Sequence, residues 1–375
     1  MFNRAIFPII QSWIGKWKTI LLYGARQTGK TTLVKKILQD FGDGGMFVDC
    51  EILYNREAFS KPDDVVLKNL LKGKKLLVID EAQKIINIWS VLKVIHDHIP
   101  EIQVIATGSS SFELSKHASE NLTGRSIEFI LYPLSIWEIS VKYTTLQMPS
   151  KINQIMQYGL YPWVFDHAND ESIETLKSIV NNYLYKDILE FAGVRKSELI
   201  INLLQLIALQ IGNEVSYTEL AQKLGINTVT VQNYIDLLEK SFVIYKLKWL
   251  SRNLRNEITK SVKIYFWDLG ILNSLINNFN PTDLRSDIGW LRENFCITER
   301  MKRNNNQREI VKSYFRRTYT QQEIDYIEEK DWYFYAFEFK SNSKTKTKVP
   351  QLFYDTYPNS SFSLINPETI IDFVQ

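Results

Sequence analysis

The sequence predicts an α/β fold, in which a parallel sheet with helices on both faces is followed by a helical region and a small mixed α/β region. Two patterns predict it. From Thr19 to Pro133, short apolar runs alternate with stretches of helical spacing; the runs are Thr19–Tyr23, Met46–Cys50, Leu76–Ile79, Gln103–Thr107 and Ile127–Leu131. Strands that alternate with helices in this way build a parallel sheet. Residues 150–245 then read as almost wholly helical, with Leu203, Ile207 and Ile211 on one face, and from Ile264 the pattern is mixed, with aromatic alternation over Trp332–Phe339 that suits strands. At 375 residues and 45% apolar composition the chain exceeds the size of one ordinary domain. Soft boundaries at Gln147–Lys151 and Asn277–Asp283 divide it into 1–148, 149–280 and 281–375.

Composition excludes several classes. The two cysteines, Cys50 and Cys296, are far apart in apolar surroundings, so neither a disulfide framework nor a metal-ligand spacing exists, and a reducing, cytoplasmic setting is expected. The histidine pair at His96 and His98 falls in a helical stretch, where a spacing of two points the rings apart. No run reaches the roughly 20 apolar residues a bilayer requires, and the interrupted apolar start, Met1–Ile14, lacks a cleavage signal. No membrane partner is expected. The net charge of +3 is small, but residues 239–320 carry 16 Lys+Arg against 8 Asp+Glu, whereas residues 149–238 carry 6 against 10. The basic stretch, including Arg252, Arg255, Lys260 and Lys263, is where a phosphate backbone would be attracted.

The first run leads directly into Gly24-Ala25-Arg26-Gln27-Thr28-Gly29-Lys30-Thr31-Thr32, which satisfies G-x-x-x-x-G-K-[ST] between a β-like run and an amphipathic stretch holding Leu33, Ile37 and Leu38. The chemistry needs that order, because a glycine-rich loop lets the backbone wrap phosphates and a helix N-terminus aims free N–H groups at the anion. A P-loop NTPase core follows from it, with ATP and Mg2+ as cofactors: Lys30 reaches the β- and γ-phosphates and Thr31 ligates the cation. The run Leu76–Ile79 ends in Asp80-Glu81 at the sheet edge where ligands bind in open α/β folds. Asp80 suits the Mg2+ side and Glu81 the activation of water. A third run ends in Thr107-Gly108-Ser109-Ser110-Ser111, where Ser109 or Ser110 is the candidate γ-phosphate sensor, and Arg125 is a candidate arginine finger.

These residues, G-A-R-Q-T-G-K-T-T-L, L-L-V-I-D-E-A-Q, T-G-S-S-S and L-T-G-R-S-I-E-F-I-L-Y-P-L-S-I-W-E, resemble a bacterial and archaeal family of AAA-type ATPases that carry a C-terminal domain of unknown function. The likeness extends to Tyr158-Gly-Leu-Tyr-Pro162, similar to a G-G-x-P segment with Leu160 in place of the second glycine, and to Tyr265-Phe-Trp-Asp268-Leu-Gly270.

Two later constellations bear on partners. Ser216–Ile226 followed by Val231, Ile235 and Leu238 reads as helix, Gly225-containing turn and helix, capped by Asn227, as in a winged helix-turn-helix. Its second helix, Thr228–Lys240, offers Thr230, Gln232 and Asn233 but a single cation, Lys240. Gln322-Glu-Ile-Asp325 followed by Glu338-Phe339-Lys340 places Glu338 and Lys340 on one face of a strand, with Asp325 within reach if the strands pair. This is similar to the D…E-x-K core of restriction-endonuclease-like folds, with Glu293 as a further acid, and such a set can hold a second Mg2+ through Asp325 and Glu338 beside Lys340. Seven Lys/Arg residues in Arg300–Arg317 flank it. The expectation is an ATP-hydrolysing switch associated with DNA, in which nucleotide orders the core and hydrolysis resets the C-terminal part. An ATP-controlled Mg2+-dependent nuclease and a nucleotide-dependent scaffold docking a protein partner are the alternatives. Self-association is left open.

Overall fold

The computed structural model describes residues 2–109, 122–183, 197–251, 262–317, 323–340 and 351–375. Ser110, Arg252, Arg255, Lys260 and Gln322 lie outside the described residues. The chain divides into two compact units: Met1–Pro133 with Lys240–Phe242, and Leu134–Glu239 with Val243–Gln375.

The first unit is built on five parallel strands: β1 (Thr19–Tyr23), β2 (Gly45–Asp49), β3 (Leu76–Asp80), β4 (Gln103–Gly108) and β5 (Ser126–Ile130), in the order β2-β3-β4-β1-β5. Each expected strand is present within a residue at either end. β1 and β3 are buried along their whole length, as a parallel sheet covered on both faces requires. Against one face pack Ile6 and Ile10 from the N-terminal segment and Leu33, Val34 and Ile37 from the helix Lys30–Phe41, over Ile20, Leu22, Val78 and Ile105. β4 is inserted between β1 and β3, so its C-terminal end sits between the two motif-bearing strands.

In the second unit, helices Met148–Tyr158, Pro162–His167, Asp170–Ser178 and Ser197–Leu209 precede the pair Tyr217–Leu224 and Thr228–Lys240 (whose last residue is grouped with the first unit). Ser216 caps the first helix of that pair and Gly225 ends it, while Asn227 accepts the Thr230 N–H at the start of the second. The region is not wholly helical: β6 (Glu214–Val215) and the start of β7 (Ile244–Trp249) lie within it. β7 pairs antiparallel with β8 (Val262–Phe266), and both belong to one seven-stranded sheet with β9 (Lys312–Arg317), β10 (Glu323–Lys330), β11 (Tyr333–Phe339) and β12 (Ser360–Ile365). The order is β12-β11-β10-β9-β7-β8-β6, and the parallel pairing of β7 with β9 carries the sheet across residue 280. The 19-residue helix Ile288–Asn306 runs beside it, burying Glu293, Asn294, Glu299 and Lys302 along with its apolar residues.

Two sequence motifs form one clasp here. Asp268 accepts hydrogen bonds from the N–H groups of Leu160 at 2.6 Å and Ile271 at 3.2 Å, so Tyr158–Pro162 is held on the strand-to-helix turn after β8. A Cβ at Gly159, whose φ is +77°, would stand 2.2 Å from Asp268 Oδ1 and 2.6 Å from the Gly270 nitrogen. The segment that resembles G-G-x-P is therefore a packing contact. Among the described residues, no helix is long and apolar enough to cross a membrane.

Candidate functional site

The loop after β1 is shaped for close backbone approach. Gly24 has φ +152°, and a Cβ there would lie 2.2 Å from the Leu131 carbonyl oxygen, so any side chain would push the loop away from the end of β5. Thr28 is buried and donates to the Ala25 carbonyl at 2.8 Å, which folds Arg26 and Gln27 outward as the tip. Arg4 braces the loop from outside, donating to the carbonyls of Thr28 and Tyr132 at 2.6 Å each. The helix begins at Lys30 with Gly29 as its cap, leaving its first N–H groups directed at the loop. Lys30 is 5% exposed and its Nζ donates to the carbonyls of Gly24 at 2.8 Å and Ala25 at 2.9 Å. Thr32 points to solvent.

Thr31 Oγ1 donates to Asp80 Oδ2 at 2.7 Å, joining the helix Lys30–Phe41 to the end of β3. The other carboxylate oxygen, Oδ1, accepts from Thr107 Oγ1 at 2.5 Å. The register explains this contact, since β4 pairs Thr107 with Leu22 of β1 and Ala106 with Ile79 of β3. Thr107 also accepts the Glu81 N–H at 3.1 Å. Glu81 stands at the strand end in the left-handed region, φ 54°, and its carboxylate accepts from Gln83 Nε2 at 2.5 Å. The same amide donates to Ser109 Oγ at 3.2 Å. Burial, followed by the charges of Asp49, Asp80 and Glu81, pushes the Cys50 thiol up to about 12 and leaves it unreactive. The oxygen-only donors on the phosphate side, the Thr31 hydroxyl and the buried Asp80 carboxylate, fit Mg2+.

The structure thus brings together Gly24–Thr31, Asp80, Glu81 and Ser109. It does not bring Arg125 to them. The Arg125 carbonyl accepts the Thr19 N–H at the start of β1, the edge opposite Gly24, on the order of 15 Å away at the rise of a parallel strand. Its guanidinium pairs with Asp97 at 2.8 Å. Arg125 therefore lies in an ion pair at the far edge of the sheet and does not reach this chain's own P-loop. Thr107 and Gln83 are the residues that motif reading missed. Their one signal is a polar side chain at the end of an apolar strand and another just beyond the acidic pair.

In the second unit β10 and β11 are antiparallel, with Tyr326 opposite Phe337, so Asp325 and Glu338 fall beside each other one position on. Asp325 accepts the Phe339 N–H at 2.8 Å and Lys340 pairs with Glu338 at 2.8 Å. Glu293 lies close enough to act on Asp325. Burial, then the Glu293 charge, push Asp325 up to about 7; burial, then Asp325, push Glu338 up to about 6. A lysine that no motif singles out for this role sits among them. Lys263 of β8, 1% exposed, pairs with Glu293 at 3.1 Å and Glu323 at 2.6 Å, and Tyr265 donates to Glu293 at 2.5 Å. Burial lowers the lysine's proton affinity, but the charges of Glu293, Glu323 and Asp325 outweigh it and hold the ammonium above its usual range. Among the described residues, no three His, Cys, Asp or Glu side chains converge so as to hold a metal ion.

Comparison with known proteins agrees with the first unit. The AAA domain model matches residues 16–140, and two models described as domains of unknown function, DUF8612 and DUF4143, match 149–283 and 288–371. The N-terminal unit is thus similar to AAA domains, and the C-terminal region to a domain of unknown function. An uncharacterized protein of Mycobacterium tuberculosis is 27% identical over 260 residues, covering 68% of this chain and 56% of that protein. Another, from Methanocaldococcus jannaschii, is 25% identical over 307 residues, covering 69% and 63%. The chain therefore spans little more than half the length of the first of these relatives. Among solved structures, the Thermotoga maritima RuvB Holliday junction branch migration motor is 15% identical with a TM-score of 0.32, covering 70% of this chain and 92% of that one. The Candida albicans Pif1 helicase is 14% identical with a TM-score of 0.28, covering 48% of each. Such low scores have no bearing on function.

Proposed function

We propose that this chain is a Mg2+-dependent ATP hydrolase that works as a nucleotide-driven switch. One observation carries the reading: Lys30, Thr31, Asp80 and Glu81 meet at the C-terminal edge of the parallel sheet, with Thr31 hydrogen-bonded to Asp80. The phosphates of ATP replace the Gly24 and Ala25 carbonyls as acceptors for Lys30, and the N–H groups at the start of the helix Lys30–Phe41 complete their cradle. Thr31 and Asp80 are the residues that would hold Mg2+, which when bound neutralises charge on the phosphates. Glu81 takes the proton of the attacking water, held at the strand end by the Thr107 contact to its N–H. Nucleotide binding tests the lower half of this scheme. Lys30→Ala, measured with a fluorescent ATP analogue, is expected to weaken binding by about 100-fold or more, and unchanged affinity would contradict it.

We read the pair Tyr217–Leu224 and Thr228–Lys240 with the hairpin β7–β8 as a winged helix, from the order of its elements, and as a docking module for a protein partner. The charge pattern supports protein over DNA. Several described cations of the basic stretch pair with neighbouring acids, namely Lys246 with Asp236 and Glu239, Lys263 with Glu293 and Glu323, Arg285 with Asp287, Arg300 with Glu328, and Lys302 with Glu299, while Lys248 is exposed. Of the outward residues of the second helix, Thr228, Val229, Gln232 and Asn233 are neutral and Lys240, at its last position, is the one cation. We read the strands β9–β12 with the helix Ile288–Asn306 as restriction-endonuclease-like in layout. The position of Lys263 among its carboxylates supports a structural role for that cluster over strand cleavage.

A further inference from the structure

Gln83 lies two residues beyond Asp80-Glu81 and has no part in the chemistry assigned to Lys30, Thr31, Asp80 and Glu81. Its amide nitrogen is fully used, with one hydrogen toward Glu81 Oε2 at 2.5 Å and one toward Ser109 Oγ at 3.2 Å. That orientation is dictated by chemistry. A carboxylate only accepts, so the NH2 end has to face Glu81 and the carbonyl end has to face elsewhere. The carbonyl oxygen Oε1 is buried and has no hydrogen-bond partner among the described residues. Leaving a buried amide oxygen unpaired costs about 1–3 kcal/mol; Oε1 is covered in this structure, so a water donor reaches it only after the side chain or the β4 terminus shifts.

We propose that Gln83 is a second water-holding residue of this site, with Oε1 accepting a hydrogen bond from the water that attacks the γ-phosphate. The inference rests on the ATP hydrolase reading and adds a residue to it. Two acceptors then converge on one water. Glu81 takes one proton and Gln83 Oε1 accepts from the second O–H, which fixes the direction of the oxygen lone pair. The water oxygen forms a bond to the γ-phosphorus as the bond from that phosphorus to the bridging oxygen breaks, giving ADP and inorganic phosphate, with the proton left on Glu81. The Nε2 contacts keep the two acceptors in register. Ser109, the residue after β4, holds the second hydrogen of the same Nε2, so a shift of the β4 terminus changes the aim of the amide.

An interaction made with the attacking water contributes in the transition state and adds little to ATP binding. Gln83→Met keeps the side-chain length and removes both ends of the amide. The test measures steady-state ATP hydrolysis, binding of a fluorescent ATP analogue, and inhibition by ADP with aluminium fluoride, in wild type, Gln83→Met and Glu81→Gln. The expected result for Gln83→Met is ATP-analogue affinity within about twofold of wild type, kcat lowered about 10- to 100-fold, and a parallel loss of affinity for the aluminium fluoride complex. Gln83→Ala, with thermal unfolding followed alongside, serves where the methionine variant does not fold, and the same split is expected. A kcat within twofold of wild type in a folded variant, or a loss confined to KM, overturns the proposal. Turnover that requires Glu81 but not Gln83 removes only the role of Gln83. No turnover in wild type removes the ATP hydrolase reading and this inference with it.

Discussion

Lys263 and Thr107 each sit among groups that are distant in sequence, Lys263 against Glu293 and Glu323 and Thr107 against Asp80, and each contact exists only because strands pair in a particular order. The P-loop residues were legible because their chemistry is set by covalent spacing along one loop. Arg125 precedes the apolar run Ile127–Leu131, so in a parallel sheet it falls at the N-terminal end of β5, away from this chain's own P-loop. Asp325 yields a measurable consequence of the carboxylate cluster. Its ordinary value is 3.8, and in the fold it is pushed up to about 7 by burial and then by Glu293. Below about pH 4 the residue is protonated in both states and contributes nothing; as pH rises the unfolded chain ionises first, so stability is lost between pH 4 and 7 and the full penalty stands above 7. Asp325→Asn removes the penalty and keeps an acceptor for the Phe339 N–H. Its melting temperature should exceed that of wild type by roughly 5 °C at pH 8, with the gap closing toward pH 4.5. A gap that widens toward acid would show that Asp325 is held as a stabilising carboxylate.

At the scale of elements, the five parallel strands were readable to within a residue because buried strands leave uniform apolar runs. The second unit was harder. β6 is two residues long, and β7 mixes apolar residues with Lys246 and Lys248, so neither interrupts a helical reading of 150–245. The clasp between Tyr158–Pro162 and Asp268–Gly270 was visible only as two separate motifs, because nothing in either names the other as its partner. Its geometry makes a firm forecast. Gly159→Ala meets Asp268 Oδ1 and the Gly270 nitrogen and must also adopt a φ that side chains disfavour. The substitution should destabilise the second unit by about 2 kcal/mol or more, seen as a lowered denaturation midpoint. ATP-analogue binding by the first unit should be retained. A midpoint equal to that of wild type would mean the clasp is loose.

At the scale of the whole molecule, the basic excess of residues 239–320 looked like a phosphate-binding surface from sequence, yet the described cations there are mostly answered by neighbouring acids. Charge counting along a chain cannot distinguish a cation facing solvent from one neutralised inside a sheet. Binding to duplex DNA should therefore be weak at low salt, and turnover should be changed by DNA less than about twofold. Tight binding that falls steeply between 50 and 200 mM salt, the signature of counterion release, would instead make nucleic acid the partner.

The central claim is that Glu81, placed by β3 and the Thr107 contact, activates water at a site built by Lys30, Thr31 and Asp80. The most direct test compares steady-state ATP hydrolysis by wild type and Glu81→Gln in Mg2+, with nucleotide affinity measured on the same samples. The account predicts turnover by wild type, affinity within about twofold in the variant, and a fall in kcat of at least about 100-fold. Equal turnover by the two proteins would contradict it.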